Sequence, residues 1–285
     1  MNHNSFSHLK GIEKLLAVMA QLRDKDKGCP WDVAQDFATI TKYTLEEVYE
    51  VVDAIEKQDM KAVREELGDL LFQIVFYAQL GKDKGHFDFN QLAQETADKM
   101  ITRHPHVFGD KTLEDTDALM KMWEADKAEN RRKKAEEEGR VASVLDDIGT
   151  ALPALTRAVK LQSRAARVNF EWQNMDAYFA KLEEEIGELK SVIAEKDKAG
   201  EPLPLDVVDR LTEELGDVLF VVANIGRKLR IDPEMALRST NRKFESRFHQ
   251  IEEALAKDDR TPQEASLDEL VALWNVARTK NRAPS

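Results

Sequence analysis

Apolar residues recur at intervals of three and four almost throughout the chain, the spacing that gives an α-helix one continuous apolar face. The pattern predicts helices near residues 8–23, 40–58, 60–83, 88–103 and 113–137. After a break near Gly139 it resumes near 148–167, 175–196, 204–230, 233–256 and 266–280. Asp110, Asp232 and Ser266 stand where side-chain N-caps are expected, and Pro233 suits a first helical turn. Eight prolines, twelve glycines and 7% aromatic residues argue against a strand-rich fold. The expected class is all-α.

Within this periodicity an acidic pattern is written twice. EEVYE (Glu46, Glu47, Glu50) is followed by EELGDLLF (Glu65, Glu66, Asp69). EEIGE (Glu184, Glu185, Glu188) is followed by EELGDVLF (Glu213, Glu214, Asp217), which differs from its counterpart only in Val218 against Leu70. A chain of 285 residues suits one large domain or two ordinary ones, and the repeat favours two. The expected division is a helical domain over 1–124, a charged connector over 125–140 and a second helical domain over 141–285. The stretch Glu124–Arg140 is nearly all charged and reads as a solvated helix or linker. Its basic cluster, Arg131–Lys134, is flanked by acids, which disfavours nucleic-acid binding there. Ala199–Asp206 reads as a loop between the two acidic helices of the second copy, and the tail NRAPS as frayed.

On a helix, Glu46 and Glu50 are four apart and Glu47 and Glu50 three apart, so all three lie on neighbouring faces. Glu66 and Asp69 are three apart on the next helix. The segment between Glu50 and Glu66 is long enough for a helix end, a turn and an antiparallel return, so the carboxylates can converge from two helices. Glu184, Glu185, Glu188, Glu214 and Asp217 repeat the arrangement across a longer loop. Carboxylates facing one point repel unless a cation sits among them. All-oxygen ligands suit Mg²⁺, or Mn²⁺, rather than zinc or copper. The alternative is a solvated acidic helix face. Gly68 and Gly216, at matching positions, favour the cage: glycine costs a helix about 1 kcal/mol relative to alanine, which a close helix approach or room for a ligand would justify. A di-iron bundle is disfavoured because no histidine stands three residues after any of these glutamates.

Downstream of each acidic pair comes a Lys-x-x-x-Arg step, Lys99/Arg103 and Lys243/Arg247. At this spacing both cations share a helix face and could hold phosphate oxygens opposite a metal; a surface basic helix is the other reading. His104 and His106 suit either phosphate contact or a turn around Pro105. Trp172 and Trp274 could stack on a base or be buried.

The net charge of −12 disfavours duplex nucleic acid as a partner. Cys29 is the single cysteine, which rules out an intrachain disulfide and a cysteine-based zinc site and fits a reducing cytoplasm. No apolar stretch has the length of a membrane span, and the N-terminus has no apolar core of signal-peptide type, so a soluble intracellular protein is expected.

The EExxE…ExxD acids, CPWD (Cys29–Asp32), RHPHVFGD (Arg103–Asp110) and the tandem repeat together resemble the MazG family of nucleoside triphosphate pyrophosphohydrolases, within the all-α NTP pyrophosphatase superfamily. The resemblance covers nearly the whole chain. It implies a homodimer of helical bundles in which each acidic set holds Mg²⁺, and the reaction NTP + H₂O → NMP + PPi with broad acceptance of ribo- and deoxyribonucleotides. Under it, Glu184, Glu185, Lys243 and Arg247 are the expected catalytic residues, with Glu185 or Glu47 orienting or deprotonating the water. Lys160, Arg164, Trp172, Asn241, Lys243, Arg247 and Trp274 are the expected nucleotide contacts. Laid on the second copy, the first has Ala97 for Asn241, Asp98 for Arg242 and Met120 for Trp274. The main activity is therefore expected in the C-terminal copy, with weaker, altered or regulatory nucleotide use in the N-terminal one. A narrower dNTP or phosphoribosyl-ATP hydrolase and a non-catalytic acidic helical interaction protein are the competing readings.

Overall fold

The computed structural model describes residues 6–110, 116–199 and 203–280. Among them the chain forms twelve α-helices and one 3-10 turn, with no strand. It divides into two units, Met1–Trp123 and Glu124–Ser285. No helix among the described residues is long and apolar enough to cross a membrane.

In the first unit, α1 (Gly11–Leu22), α3 (Thr41–Glu56) and α5 (Phe89–Arg103) all pack against α4 (Met60–Asp83). The centre is Met19, Ile40, Val75, Phe76 and Leu80, with Phe37, Phe72 and Tyr77 closed around it. Asp59 caps α4 by accepting from the N–H groups of Lys61 and Ala62, and Asp88 forms a capping box with Gln91 at the start of α5. Two short helices, α2 (Pro30–Ala34) and α6 (Pro105–Phe108), are additions to the sequence expectation. Each opens on a proline in its first turn and is too short to show a helical period. The boundary between the units falls within α7 (Thr116–Glu137). The cap expected at Asp110, like the first residues of the helix expected from 113, depends on residues 111–115, which lie outside the described residues.

The second unit holds α8 (Ala154–Ala166), α9 (Met175–Ala199), α10 (Leu205–Lys228), α11 (Pro233–Ala256) and α12 (Leu267–Lys280). Here α10 is central, packed on α9, α8 and α11, while α11 packs on α12. Asp232 caps α11 through the N–H groups of Glu234 and Met235 with Pro233 in the first turn, and the Ser266 hydroxyl accepts from Glu269 N–H at 3.3 Å. The helix expected from 148 begins only at Ala154. Pro153 stands extended (φ −49°, ψ 140°) immediately before the helix, and a proline disfavours helical backbone in the residue ahead of it.

The charged stretch Glu124–Arg140 is not solvated throughout, which corrects the sequence reading. Ala135 is 1% and Arg131 8% exposed. Glu124, Arg131 and Ala135 follow one another at spacings of seven and four, so they share a helix face. Long charged side chains can bury their stems in this way. Glu124 also pairs with Arg167, and Lys134 with Asp147 at 3.6 Å.

One polar network fixes the start of α9 to the end of α10. The Arg227 guanidinium donates to Glu171 at 2.5 Å and to the Tyr178 hydroxyl at 3.2 Å, and Lys228 lies 3.2 Å from the same carboxylate. Tyr178 is fully buried. The hydrogen bond from Arg227 holds the Glu171 carboxyl below the usual carboxylate range, outweighing the effect of burial. A lowered carboxylate pKa contributes stability above the unfolded value, lost as pH falls through the folded one. Glu171→Gln should therefore destabilise the chain by about 1–3 kcal/mol at neutral pH. In urea melts, the gap to the wild type should shrink as pH falls from about 7 to below about 4.

The repeat also leaves the same apolar stripe uncovered twice. Leu67, Leu71 and Ile74 on α4, and Leu215, Leu219 and Val222 on α10, are all exposed at matching positions.

Candidate metal and nucleotide site

The antiparallel packing of α3 on α4, and of α9 on α10, turns the two acidic motifs of each copy toward each other. In the first unit, carboxylate oxygens of Glu47, Glu66 and Asp69 lie within 4.8 Å of one another; in the second, those of Glu185, Glu188 and Glu214 do so. Glu50 adds repulsion on both Glu47 and Glu66, and Glu46 on Glu47. Asp217 lies outside the second cluster of three, one turn along α10 from Glu214, and Glu184 is engaged by Lys181.

This crowding shifts the acids. Burial, then the charges of Asp69, Glu50 and Glu66, pushes the Glu47 carboxyl up, and burial followed by Glu50 and Asp69 does the same to Glu66. Glu188 is raised first by its hydrogen bond with Glu185, then by burial and repulsion from Glu185 and Glu214. A solvated acidic face would spread its charges; these converge. Three carboxylates with only oxygen donors fit a hard divalent cation such as Mg²⁺ or Mn²⁺. A Cβ built on Gly68 or Gly216 would meet no heavy atom within 4 Å. Close helix approach within either unit therefore does not explain these glycines.

The structure adds a residue that the sequence reading passed over. Lys181 lies 2.7 Å from Glu184 and 2.8 Å from Glu185, which is itself 6% exposed. Its hydrogen bonds, to Glu184 first, push its own pKa up. The signal was present as a lysine three and four residues before the two glutamates. Tyr43 occupies the corresponding position before Glu47, so the first unit has no such cation there.

Farther along the second unit, the Arg247 guanidinium lies 5.3 Å over the Trp274 ring, and Phe244 packs 5.3 Å from the same ring. The Arg247 Nε is buried without a hydrogen-bond partner, while Asn241 and Lys243 are exposed on α11. No hydrogen bond or ion pair among the described residues joins Lys243 or Arg247 to the acids of α9 and α10. Lys160 is exposed on α8. Arg164 is half-buried with its pKa lowered, by burial first and then by Arg131 and Arg167. Trp172 packs edge-on against Tyr178 at 5.0 Å. In the first unit, Trp123 donates to the Arg103 carbonyl at 2.8 Å and packs 5.3 Å from His104. The His104 Nδ1 lies 2.6 Å from the Met100 carbonyl, so this histidine closes the turn before Pro105, while the His106 Nδ1 is buried without a partner.

With that geometry in place, the sequence pattern of the MazG nucleotide pyrophosphohydrolase domain matches residues 35–108 and again 173–251, more than half of the chain. The chain belongs to the MazG family. It is 44% identical over 269 residues to the nucleoside triphosphate pyrophosphohydrolase of Escherichia coli K12, covering 94% of this chain and 97% of that protein. It is 36% identical over 267 residues to the nucleoside triphosphate pyrophosphohydrolase/pyrophosphatase MazG of Thermotoga maritima, covering 94% and 95%. An uncharacterized Bacillus subtilis protein, YabN, is 36% identical over 266 residues, covering 93% of this chain and 51% of that protein. Both MazG matches contain an acidic cluster, so the tandem architecture and the paired clusters coincide.

A cation that relieves repulsion should register in stability. Mg²⁺ or Mn²⁺ should raise the melting temperature of this MazG-family chain at neutral pH. Glu188→Gln should raise the metal-free melting temperature, because one repelling charge is gone, and reduce the metal-induced rise. Differential scanning fluorimetry across a metal titration reads both effects.

Proposed function

We propose that the chain is a Mg²⁺-dependent nucleoside triphosphate pyrophosphohydrolase with broad base acceptance, acting chiefly through its second unit. The observation that carries the assignment to that unit is Lys181 beside Glu184 and Glu185, where the first unit has Tyr43. Family membership, the names of the full-length relatives and the convergent carboxylates support the reaction class.

Glu185, Glu188 and Glu214, with Asp217 one turn along, would hold the cation. Bound there, Mg²⁺ would neutralise triphosphate charge and lower the pKa of a water. Glu185, the buried member of the cluster, would orient the water and take its proton as the water oxygen bonds to the α-phosphorus. The bond from that phosphorus to the bridging oxygen then breaks, and pyrophosphate leaves. Lys181, Lys243 and Arg247 would supply positive charge for the phosphate oxygens. No step needs a covalent enzyme intermediate.

A homodimer belongs to the same reading. The uncovered stripes on α4 and α10 lie on the helices that carry the acids, and contiguous exposed apolar surface of this kind marks association sites. A reducing cytoplasmic setting fits the unpaired Cys29.

Release of pyrophosphate from mixed NTPs, with and without Mg²⁺, tests the activity. The double variant Glu185→Gln/Glu188→Gln should lose about 10³-fold or more in kcat. Glu47→Gln/Glu50→Gln should retain most of the wild-type rate. Loss of turnover in the second variant alone would overturn the assignment of the main site. Light scattering on the purified chain checks the dimer, and substitution of Leu215 and Leu219 by Glu should yield a monomer.

A further inference from the structure

The two acidic clusters differ in how their charge is offset. In the second unit the Lys181 ammonium, one helical turn before the acids on α9, lies 2.7 Å from Glu184 and 2.8 Å from Glu185. Glu185 is buried, and it is also one of the three acids that converge. A single buried carboxylate is thus shared between the lysine and the cluster. The ammonium reaches further: its charge acts on Glu188 against the repulsion from Glu185 and Glu214. Arg210, a second cation that feels Glu214, is already held by Glu195 at 2.6 Å and 3.2 Å.

In the first unit Tyr43 stands where Lys181 does. The main charges acting on Glu47 and Glu66 are all carboxylates. Lys42 lies over the Tyr43 ring at 4.7 Å, and Lys61 pairs with Glu65 at 3.9 Å. No ion pair among the described residues joins a lysine or arginine to Glu47, Glu66 or Asp69. One cluster therefore has an ammonium of its own and the other has none.

A divalent cation is drawn in by the same negative charge that an ammonium offsets. Beside Glu185 part of that charge is already taken, and an entering cation would meet Lys181 at a range where solvent and salt screen little. The ammonium sits on a flexible four-carbon stem and can leave, but it then needs another anion. The phosphate chain of a nucleotide held by the same cation supplies one. We propose that Lys181 is a resident counter-ion of the second cluster, released to the triphosphate, so that the second unit takes its divalent cation tightly only together with the nucleotide. The first unit, without that ammonium, takes the cation alone. The proposal rests on the metal and nucleotide reading above and adds the order in which the two units load. Coupling of this kind is reciprocal: cation and triphosphate each strengthen the other's binding through the same lysine.

The test uses Mn²⁺, followed by the paramagnetic resonance of the free ion at neutral pH, in two backgrounds of the 285-residue chain. Glu47→Gln/Glu66→Gln leaves the second cluster alone, and Glu185→Gln/Glu214→Gln leaves the first. Mn²⁺ by itself should bind the first cluster about 10-fold more tightly than the second. Lys181→Met should close that gap and Lys181→Arg should keep it, while Tyr43→Lys should weaken the first cluster by a similar factor. Calorimetric titration with the Mn²⁺ complex of α,β-methylene ATP, in which carbon replaces the bridging oxygen, should move the other way. There Lys181→Met should weaken binding to the second cluster about 10-fold. Opposite shifts are the signature of an exchanged counter-ion, since a lysine that only braced α9 would move both affinities together. Equal Mn²⁺ affinities of the two clusters, Mn²⁺ binding not tightened by Lys181→Met, or analogue binding not weakened by it would overturn the proposal and leave the metal reading standing. No Mn²⁺ uptake by either cluster would overturn both.

Discussion

Helix packing in this chain holds like charges together. In each unit two long helices cross with their acidic faces inward, and carboxylates that would separate in water are kept within a few ångströms. The force that does so is burial elsewhere on the same helices: Val75, Phe76 and Leu80 on α4, Val207, Val221 and Ala223 on α10. Glu47, Glu66 and Glu188 shift upward in response, so the fold holds part of their repulsion. Placement of the core, the site and the open faces follows from that arrangement, because each of these helices must serve all three at once.

The two copies share this constraint and differ in what surrounds it. Tyr43 and Lys181 occupy one equivalent position, Phe76 and Asn224 another, Met120 and Trp274 a third. The first unit has aromatic side chains where the second has the Lys181 ammonium and the Asn224 amide, and it closes its core around Phe76, while the second keeps a cation beside the acids. A helix pair can therefore keep its convergent acids while the residues around them change.

Much of this was legible in the sequence because it is local. Helical periodicity marks the long helices, Asp232 with Pro233 marks the start of α11, and EExxE spacing places acids on adjacent faces. Lys181 was equally local and could have been found from its distance to Glu184 and Glu185. What escaped was either too short or three-dimensional. PWDVA and PHVF have too few residues to show a period. Arg131 and Ala135 read as solvated because their neighbours are charged, yet one face of that helix is covered. Gln162 looks like any helical glutamine until the chain folds and leaves its carbonyl oxygen without a donor.

Gly68 and Gly216 show how these demands meet. Each lies between an acidic pair, Glu66 and Asp69 or Glu214 and Asp217, at a point where a side chain would meet nothing in its own unit. Each costs its helix about 1 kcal/mol relative to alanine, and no packing contact within the unit recovers that. The exposed leucines stand immediately before the glycines, Leu67 and Leu215, and recur a turn later at Leu71 and Leu219. At about 100° per residue the glycine and the leucines lie on other sides of the helix than the acids, so each unit leaves uncovered an apolar face away from its cluster. One helix thus carries a charged face toward its neighbour and an uncovered apolar face on another side, and the glycine adds no side chain of its own to that open side.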